Sequence, residues 1–314
     1  MRIAVTGATG LIGRHLATEL RRRGHEVVPV SRRSDPPVDV MDPSRVRSRI
    51  DGCDMVYHLA AKVGAGAPRA EYRVNVVGTR NVVEAAELAG VGRLVHMSTL
   101  AVMGEDRRHV GTDESSPLPD DLPDEYSRTK AEGERIALDR GRRVPVVVVR
   151  AGWVWGPDDP ATVELFAMVR RGTYRYIGDG GNLTYLTHID NVVGLLAHLA
   201  TLEPFPDGEV FNVTDGDRRT MRQFVGAVAD ALHAEAPGRG VPKRVALMAA
   251  TISGLLPGTH ALTRQNVDIH SNDLYFPVDK ARRMLGYDPS VDYRAQIEQA
   301  ARQLMAEQPA TRTS

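Results

Sequence analysis

The sequence contains very little cysteine, since Cys53 is the only one among its 314 residues. An intramolecular disulfide is therefore impossible, which is typical of proteins in a reducing compartment. Cys53 shortly precedes the apolar run Met55–Leu59, so we expect a buried core residue rather than a catalytic thiol. From these features we predict a cytoplasmic protein.

An excess of charge is also missing. Lysine plus arginine and aspartate plus glutamate each number 40, so the formal net charge is zero. This balance gives no reason to expect nucleic acid or a membrane surface as a partner, and we expect a small-molecule substrate. The histidine, cysteine and carboxylate residues show no metal-ligand spacing, so we predict no metal site.

Long apolar segments are absent as well. The N-terminus, MRIAVTGATG, reaches glycine before it could form the apolar core of a signal peptide. The longest apolar stretch, Val245–Leu256, is interrupted by polar residues and is much shorter than a membrane-spanning helix. We therefore expect neither a leader nor a membrane span.

What the first half does contain is an alternation of β-branched runs and helical patterns. Ile12, Leu16 and Leu20 are four residues apart and fall on one helix face. The alternation predicts an α/β domain with a doubly wound parallel sheet at residues 1–155. The expected strands are Arg2–Thr6, Glu26–Val30, Met55–Leu59, Leu94–Ser98 and Val144–Arg150, and the expected helices are Gly13–Arg23, Tyr72–Ala89 and Tyr126–Arg140.

The second half, residues 156–314, reads as a smaller, mostly helical substrate-binding region that covers the carboxyl edge of the sheet. One strand candidate, Val210–Val213, offers a way for the chain to return to the sheet. The tail Ala306–Ser314 is expected to be frayed. The expected helices are Thr162–Arg170, Asn191–Ala200, Met221–Leu232 and Tyr293–Met305.

A glycine-rich turn joins the first expected strand to the first helix. A dinucleotide pyrophosphate needs a tight turn, a backbone without obstructing side chains and helix-terminal N–H groups. Gly7 allows the turn, Gly10 the close approach and Gly13 the packing of helix on strand. At this junction the pattern predicts a Rossmann-type cofactor site. The other residues assigned to this loop are Thr9, Leu11 and Ile12.

Further segments, in order along nearly the whole chain, resemble the extended short-chain dehydrogenase/reductases of the NAD-dependent epimerase/dehydratase superfamily. The loop before residue 191 and the closing stretch Tyr275–Pro289 are closest to the 3β-hydroxysteroid dehydrogenase branch. The resemblance implies that Leu59, Ala60 and Ala61, after the family's fourth strand, bind the cofactor. The segments are TGATGLIG from residue 6, HLAA from 58, NVVGT from 75, LVHMSTLAVMG from 94, YSRTK from 126, RAGWVWGP from 150 and DKARRMLGYDP from 279.

Tyr126 and Lys130 are four residues apart, which places them on one face of a helix. A lysine ammonium one turn from a phenol favours the phenolate and draws its pKa toward neutrality. The resemblance implies that Tyr126 is the general acid/base, that Lys130 assists it and binds the cofactor, and that Thr99 bonds the reacting oxygen. Ser98 is the alternative hydroxyl.

The resemblance also implies roles for two residues near the nicotinamide. Asn75 helps to position the cofactor and a proton relay, although it could instead be a helix-start or turn residue. The segment with Trp153 and Trp155 lies against the nicotinamide, unless these indoles are core packing. His58 and His96, which lie on expected strands, are expected to be core residues.

The end of the second expected strand indicates the cofactor. An NAD enzyme usually carries a carboxylate there for the ribose hydroxyl, whereas this chain has Ser31 followed by Arg32 and Arg33. These residues suit a 2′-phosphate, so we predict a preference for NADP(H), with NAD(H) possible and a solvated basic loop as the alternative. Asp39, just after the expected third strand, resembles the family residue that contacts adenine.

Three function classes are compatible with these motifs: an oxidoreductase, a nucleotide-sugar epimerase or dehydratase, and a dinucleotide sensor. The pair Tyr126 and Lys130 argues against a sensor. A 4,6-dehydratase carries acid–base residues directly after its catalytic hydroxyl residue. Here Leu100 and Ala101 follow Thr99 and cannot transfer a proton, which argues against a dehydratase. We expect an NAD(P)-dependent enzyme that interconverts a secondary alcohol and a ketone, with a nucleotide-sugar epimerase or ketoreductase as the alternative.

The substrate is expected to be bulky and mostly apolar. Nucleotide-sugar members of the family usually carry an arginine for the diphosphate in the loop before residue 191, and this chain has Thr184 at that position. A second family arginine lies in an RxxD motif near the C-terminus, but here Arg264 is followed by Gln-Asn-Val, so the motif is incomplete. Val245–Leu256 is expected to be helical and to line or cover an apolar cleft, unless it is only core. Alternatively, Arg175 or Arg222 holds a diphosphate.

The resemblance also implies a homodimer. Extended members often pair through the helices that correspond to Tyr72–Ala89 and Tyr126–Arg140. Val76, Val83 and Ile136 are the apolar positions these helices offer.

Overall fold

The computed structural model describes residues 1–63, 68–139, 143–255, 262–289 and 291–307. Its strands are β1 (Arg2–Thr6), β2 (Glu26–Val30), β3 (Met55–His58), β4 (Arg93–Thr99), β5 (His109–Val110), β6 (Val146–Ala151), β7 (Trp153–Trp155), β8 (Leu186–His188), β9 (Val210–Val213) and β10 (Leu274–Tyr275). Its α-helices are α1 (Leu11–Arg22), α2 (Pro43–Ile50), α3 (Pro68–Tyr72), α4 (Thr79–Leu88), α5 (Glu125–Ala137), α6 (Pro160–Arg170), α7 (Ile189–Leu199), α8 (Met221–Ala231), α9 (Lys243–Leu255), α10 (Arg264–Ile269), α11 (Asp279–Leu285) and α12 (Tyr293–Glu307).

A six-stranded parallel sheet in the order β2-β1-β3-β4-β6-β9 forms the centre of the protein. Helices α1, α7 and α11 pack on one face, and α2, α4 and α5 pack on the other. Because both faces are covered, strands such as β3 and β6 are buried along their whole length. The expected doubly wound Rossmann fold is confirmed.

One strand of this sheet comes from the second half of the chain. Val210–Val213 pairs in parallel with β6, so that Val148 faces Val210 and Ala151 faces Val213. The strand has the bounds expected from the sequence, and through it the chain returns to the sheet.

The strand expected before Asp39 is not present in the described residues between β2 and α2. Pro36 and Pro37 lack the N–H donors that a strand needs for its ladder, and β2 is left at the edge of the sheet. The HLAA segment consequently follows the third strand, β3, rather than a fourth.

The expected helix Tyr72–Ala89 is a continuous helical run that begins earlier, at Pro68, and contains a π-helical segment at Arg73–Gly78. Val76 and Val83 on this run are buried within the chain, and Ile136 on α5 is half-buried. Two of the three apolar positions are thus already covered inside one protomer. The homodimer stays a prediction.

The second half of the chain forms its own cluster around Trp155, Phe166 and Phe224, built by α6, α8 and α12. The apolar stretch from Val245 is helical as expected and belongs to α9, whose Ala246 and Ala250 pack on α10. Residue 256 and the tail from 308 onward lie outside the described residues. No helix in the described part of the chain is long and apolar enough to cross a membrane.

Candidate active site

The glycine-rich turn leaves no room for side chains at two of its glycines. A Cβ on Gly7, whose φ is 66°, would lie 2.8 Å from the backbone N of Ala60, and a Cβ on Gly13 would lie 2.2 Å from the carbonyl oxygen of Gly7. Helix α1 begins at Leu11 with no capping side chain and no acidic residue in its first turn. Its first N–H groups therefore fit a pyrophosphate, which is the group that a dinucleotide brings.

The loop after β3 is held against this turn by buried polar groups. The hydroxyl of Thr6 accepts hydrogen bonds from the backbone N–H groups of Leu59 and Ala60, both at 3.1 Å. The Asn75 side chain accepts from the backbone N–H of Lys62 at 2.8 Å and donates to Thr129 at 3.0 Å. Because Asn75 lies inside the π-helical segment, the alternative of a helix-start residue is wrong. Ala61 is exposed beside this loop.

At the other end of the turn, the hydroxyl groups of Thr9 and Ser31 are 2.9 Å apart. Ser31 also accepts from the backbone N–H of Arg33 at 3.1 Å, and the side chains of Arg32 and Arg33 are exposed. The end of β2 thus presents hydroxyl and guanidinium groups beside the glycine turn. Asp39 is half-buried and accepts from the backbone N–H of Met41 at 3.0 Å.

The catalytic candidates meet where β4 ends beside α5. Asp124 caps α5 by accepting from the backbone N–H of Ser127 at 2.8 Å. Tyr126 is the second residue of that helix, and its phenol lies near enough to Thr99 for the threonine hydroxyl to lower its pKa. The Ser98 hydroxyl instead donates to Glu134 at 2.7 Å in a buried contact. This arrangement favours Thr99 over Ser98 as the hydroxyl at the reacting oxygen.

Lys130 is buried and donates from Nζ to the carbonyl oxygen of Met97 at 2.6 Å. Burial lowers the pKa of Lys130 to about 8, opposed by the charge of Glu134. One turn further, Glu134 forms a buried ion pair with Arg150 on β6, in which Arg150 Nε lies 3.1 Å from each carboxylate oxygen. This pair fixes α5 to the sheet below the candidate catalytic residues.

The electrostatics of Tyr126 differ from the sequence-based expectation. Its pKa is raised above the ordinary phenol value, first by burial and then by the charge of Glu105, with smaller contributions from Asp124 and Glu71. The nearby Thr99 hydroxyl acts in the opposite direction and lowers this pKa. The expected lowering toward neutrality is therefore wrong for this structure, because burial and carboxylates dominate.

The two tryptophans have different surroundings. Trp155 is buried, donates from Nε1 to Asp215 at 3.0 Å and packs edge-on against Phe224, so it is core packing. Trp153 is half-buried, with its ring centroid 5.3 Å from that of His270.

His58 and His96 are buried in the sheet with ring centroids 5.3 Å apart, which confirms that they are core residues. Cys53 is buried as well. In the described part of the chain no group of histidine, cysteine or carboxylate residues could hold a metal ion.

Sequence reasoning missed Glu105 and Tyr185. Glu105 is only 5% exposed, and its carboxylate accepts hydrogen bonds from the Tyr185 hydroxyl and from Gln265 Nε2, the latter at 2.9 Å. Glu105 directly follows the VMG residues of the 94–104 segment, and that adjacency to a catalytic motif was the available signal.

The model of the NAD dependent epimerase/dehydratase family matches residues 3–214. The chain is 33% identical over 319 residues to the 4-hydroxy-2-methyl-3-oxo-4-farnesyl-3,4-dihydroquinoline-1-oxide ketoreductase of Stigmatella aurantiaca, covering 95% of each chain. It is 32% identical to the 2-alkyl-3-oxoalkanoate reductase of Stenotrophomonas maltophilia, covering 98% of this chain and 99% of that one.

Solved structures share the whole architecture. MoeE5 in complex with UDP-glucose and NAD superimposes with a TM-score of 0.75 at 25% identity, covering 98% of this chain and 99% of that one. Human epimerase family protein SDR39U1 with NADPH gives a TM-score of 0.78 at 23% identity, covering 96% of this chain and 99% of that one.

Proposed function

The chain belongs to the NAD-dependent epimerase/dehydratase family and is an NAD-dependent enzyme, and on this premise we propose that it interconverts a ketone and a secondary alcohol on a bulky, mostly apolar small molecule. In this proposal Tyr126 is the general acid/base, assisted by Lys130 and Thr99. The observation that carries it is the convergence of these three side chains where β4 ends beside α5.

The protonation state of Tyr126 suits ketone reduction. When bound, the dinucleotide supplies the hydride. Because its pKa is raised, Tyr126 stays protonated at neutral pH and can donate its proton to the carbonyl oxygen. Thr99, whose hydroxyl lies near the phenol, is the hydroxyl that would bond the reacting oxygen. The Lys130 side chain is held against β4 by its hydrogen bond to the Met97 carbonyl oxygen, and it carries a positive charge when protonated.

The surroundings of the candidate phosphate ligands support an apolar substrate over a nucleotide sugar. Thr184 is buried and donates to the carbonyl oxygen of Arg219 at 3.0 Å. Arg175 donates to the carbonyl oxygens of Gly172 and Tyr174, both at 2.8 Å, and Arg222 stacks on the Tyr176 ring. Holding a buried diphosphate calls for free paired cations. The relatives named as ketoreductase and oxoalkanoate reductase agree with this proposal.

A nucleotide-sugar epimerase or ketoreductase is the second candidate, because MoeE5 binds UDP-glucose and has the same fold. Thermal unfolding with millimolar UDP, dTDP and GDP separates the two. We expect no stabilisation by any of them, and a rise of several degrees with one would overturn the apolar-substrate proposal. Reduction of a panel of ketones, followed at 340 nm, then tests net hydride transfer, which an epimerase would not give.

For the cofactor we propose a preference for NADP(H). The support is Ser31 and the exposed Arg32 and Arg33 at the end of β2, where no carboxylate follows the strand. Losing a charge-assisted bond to a phosphate costs about 1.5–3 kcal/mol, so Arg32→Ala should lower kcat/KM with NADPH by about tenfold to a hundredfold and change it little with NADH. Arg21→Ala, an exposed arginine on α1, is the control. A wild-type preference for NADH would overturn this assignment.

A further inference from the structure

One face of α5 carries a third buried polar residue beside the two catalytic candidates. Tyr126, Lys130 and Glu134 are four residues apart along the helix, so they lie on the same face. That face contacts the end of β4 twice. Lys130 Nζ donates to the carbonyl oxygen of Met97 at 2.6 Å, and the hydroxyl of the next residue, Ser98, donates to Glu134 at 2.7 Å. The function proposed above gives no role to Glu134.

The Glu134 carboxylate joins two neighbouring strands of the sheet. Ser98 on β4 and Arg150 on β6 are register partners, and both are bonded to Glu134. Arg150 Nε lies 3.1 Å from each carboxylate oxygen. The three residues are at most 4% exposed. The negative charge of Glu134 is therefore held in a fixed, poorly solvated position one helical turn from Lys130.

The other charged or titratable groups around Lys130 do not stabilise its ammonium. His58 on β3 and His96 on β4 both interact with the Lys130 charge, but burial lowers the pKa of each, that of His58 to about 3, so both are neutral at pH 7. Arg150 on β6 is a cation and is paired with Glu134. Burial lowers the pKa of Lys130 to about 8, and the charge of Glu134 opposes this shift. Glu134 is thus the carboxylate that favours the charged form of Lys130.

Building on the function proposed above, we propose that Glu134 is a positioning residue that acts through Lys130, because it keeps the lysine ammonium charged and fixed against the end of β4. A buried lysine without an anion nearby loses its proton readily. The carboxylates of Asp124 and Glu71 act on Tyr126 instead. The ion pair of Glu134 with Arg150 then has two effects: it fixes α5 to the sheet, and it sets the pH range over which Lys130 is charged.

The test measures the Kd of the nicotinamide cofactor between pH 7 and pH 9.5, with NADPH or NADH, whichever binds more tightly. Lys130 is charged below its pKa and neutral above it, and losing a hydrogen bond from a charged donor weakens binding by about tenfold or more. In the wild type the Kd should therefore be constant up to about pH 8 and rise above it. The kcat/KM for ketone reduction should fall over the same interval.

Glu134→Gln keeps the length of the side chain and removes its charge. The rise in Kd should then begin about one pH unit lower than in the wild type, because the ammonium of Lys130 has lost its anion. Glu132→Gln is the matched control. It removes the same charge from a half-buried residue of the same helix, and residues two apart do not share a helix face. The pH at which its Kd rises should be that of the wild type.

Should Glu134→Gln fail to fold, the double variant Glu134→Met, Arg150→Met takes its place, since it leaves no buried ion unpaired and such replacements are often neutral or stabilising. It should shift the rise in Kd in the same direction. An unshifted rise in either folded variant, or an equal shift in Glu132→Gln, would overturn the inference, as would a wild-type Kd that stays constant from pH 7 to pH 9.5. Absence of ketone reduction at every pH, with the cofactor results as expected, would instead refute the proposed function.

Discussion

Two regions of the molecule are held together differently. The first, which we call the floor of the candidate active site, consists of β4, α5 and β6. The second, which we call the cap, consists of α9, α10 and residues 262–276. In the floor, Lys130, Glu134 and Arg150 are buried and bonded to each other or to the strand beside them. In the cap, α9 packs through small residues and leaves Met248 and Ile252 66% and 58% exposed. The proposed catalytic residue Lys130 thus lies in a region whose charged side chains are buried and bonded, whereas α9 is more loosely packed.

The sharpest test of this contrast is the removal of the proton donor from the floor. Tyr126→Phe keeps the ring and its packing and removes the hydroxyl that would donate the proton. A positioned general acid contributes about 10²–10⁴-fold, so we expect kcat to fall by that factor with little change in the Kd of the cofactor. Retention of more than a tenth of the wild-type kcat would mean that another group donates the proton.

Lys130→Ala is the companion variant. The lysine is expected to act on both Tyr126 and the cofactor, so kcat should fall and the cofactor Kd should rise together. Fluorescence titration with NADPH measures the second effect.

The next largest effect concerns stability. Glu134→Ala leaves the Arg150 guanidinium buried without its carboxylate, and breaking such a pair costs about 3–5 kcal/mol. Urea unfolding at pH 7 should show that loss in the free energy of unfolding. Glu164→Ala, which removes an exposed ion pair with Arg171, is the control and should cost about 0–1 kcal/mol. Equal effects of the two variants would contradict the proposed rigidity of the floor.

The smallest effect is expected on the outer face of the cap. Met248→Ser should change the free energy of unfolding by no more than about 0.5 kcal/mol, because the side chain is largely exposed. Val267→Ala, which truncates the fully buried partner of α9, should cost about 2 kcal/mol. If Met248→Ser proved the more destabilising variant, α9 would have to be packed on a surface that a single chain does not show.

The parts of the structure that depend on local signals were predictable from the sequence. The turn needs glycine at Gly7 and Gly13 for steric reasons, and β9 is recognisable in the sequence as a short β-branched run between loops. Tyr126 and Lys130 are linked by helical spacing alone. In each case the information lies within a few neighbouring residues.

The features that the sequence did not reveal depend on tertiary contacts. The raised pKa of Tyr126 comes from burial and from Glu105 and Glu71, which no local pattern associates with it. The apolar stretch Val245–Leu256 was expected to be helical, but an apolar composition does not tell which face of the helix finds a partner. The exposed apolar face of α9 and the hydrogen bonds of Glu105 with Tyr185 and Gln265 are therefore evident only from the structure.

The return of β9 to the sheet has a consequence for the order in which the protein can fold during synthesis. Until residues 210–213 have left the ribosome, β6 has no neighbour on one side and presents an open row of backbone donors and acceptors. Such an edge invites pairing with other chains, and non-local parallel pairing is slow to form. A nascent chain paused after residue 155 would thus expose this unpaired edge of β6, and a gene fragment cut there would encode a sheet without its last strand.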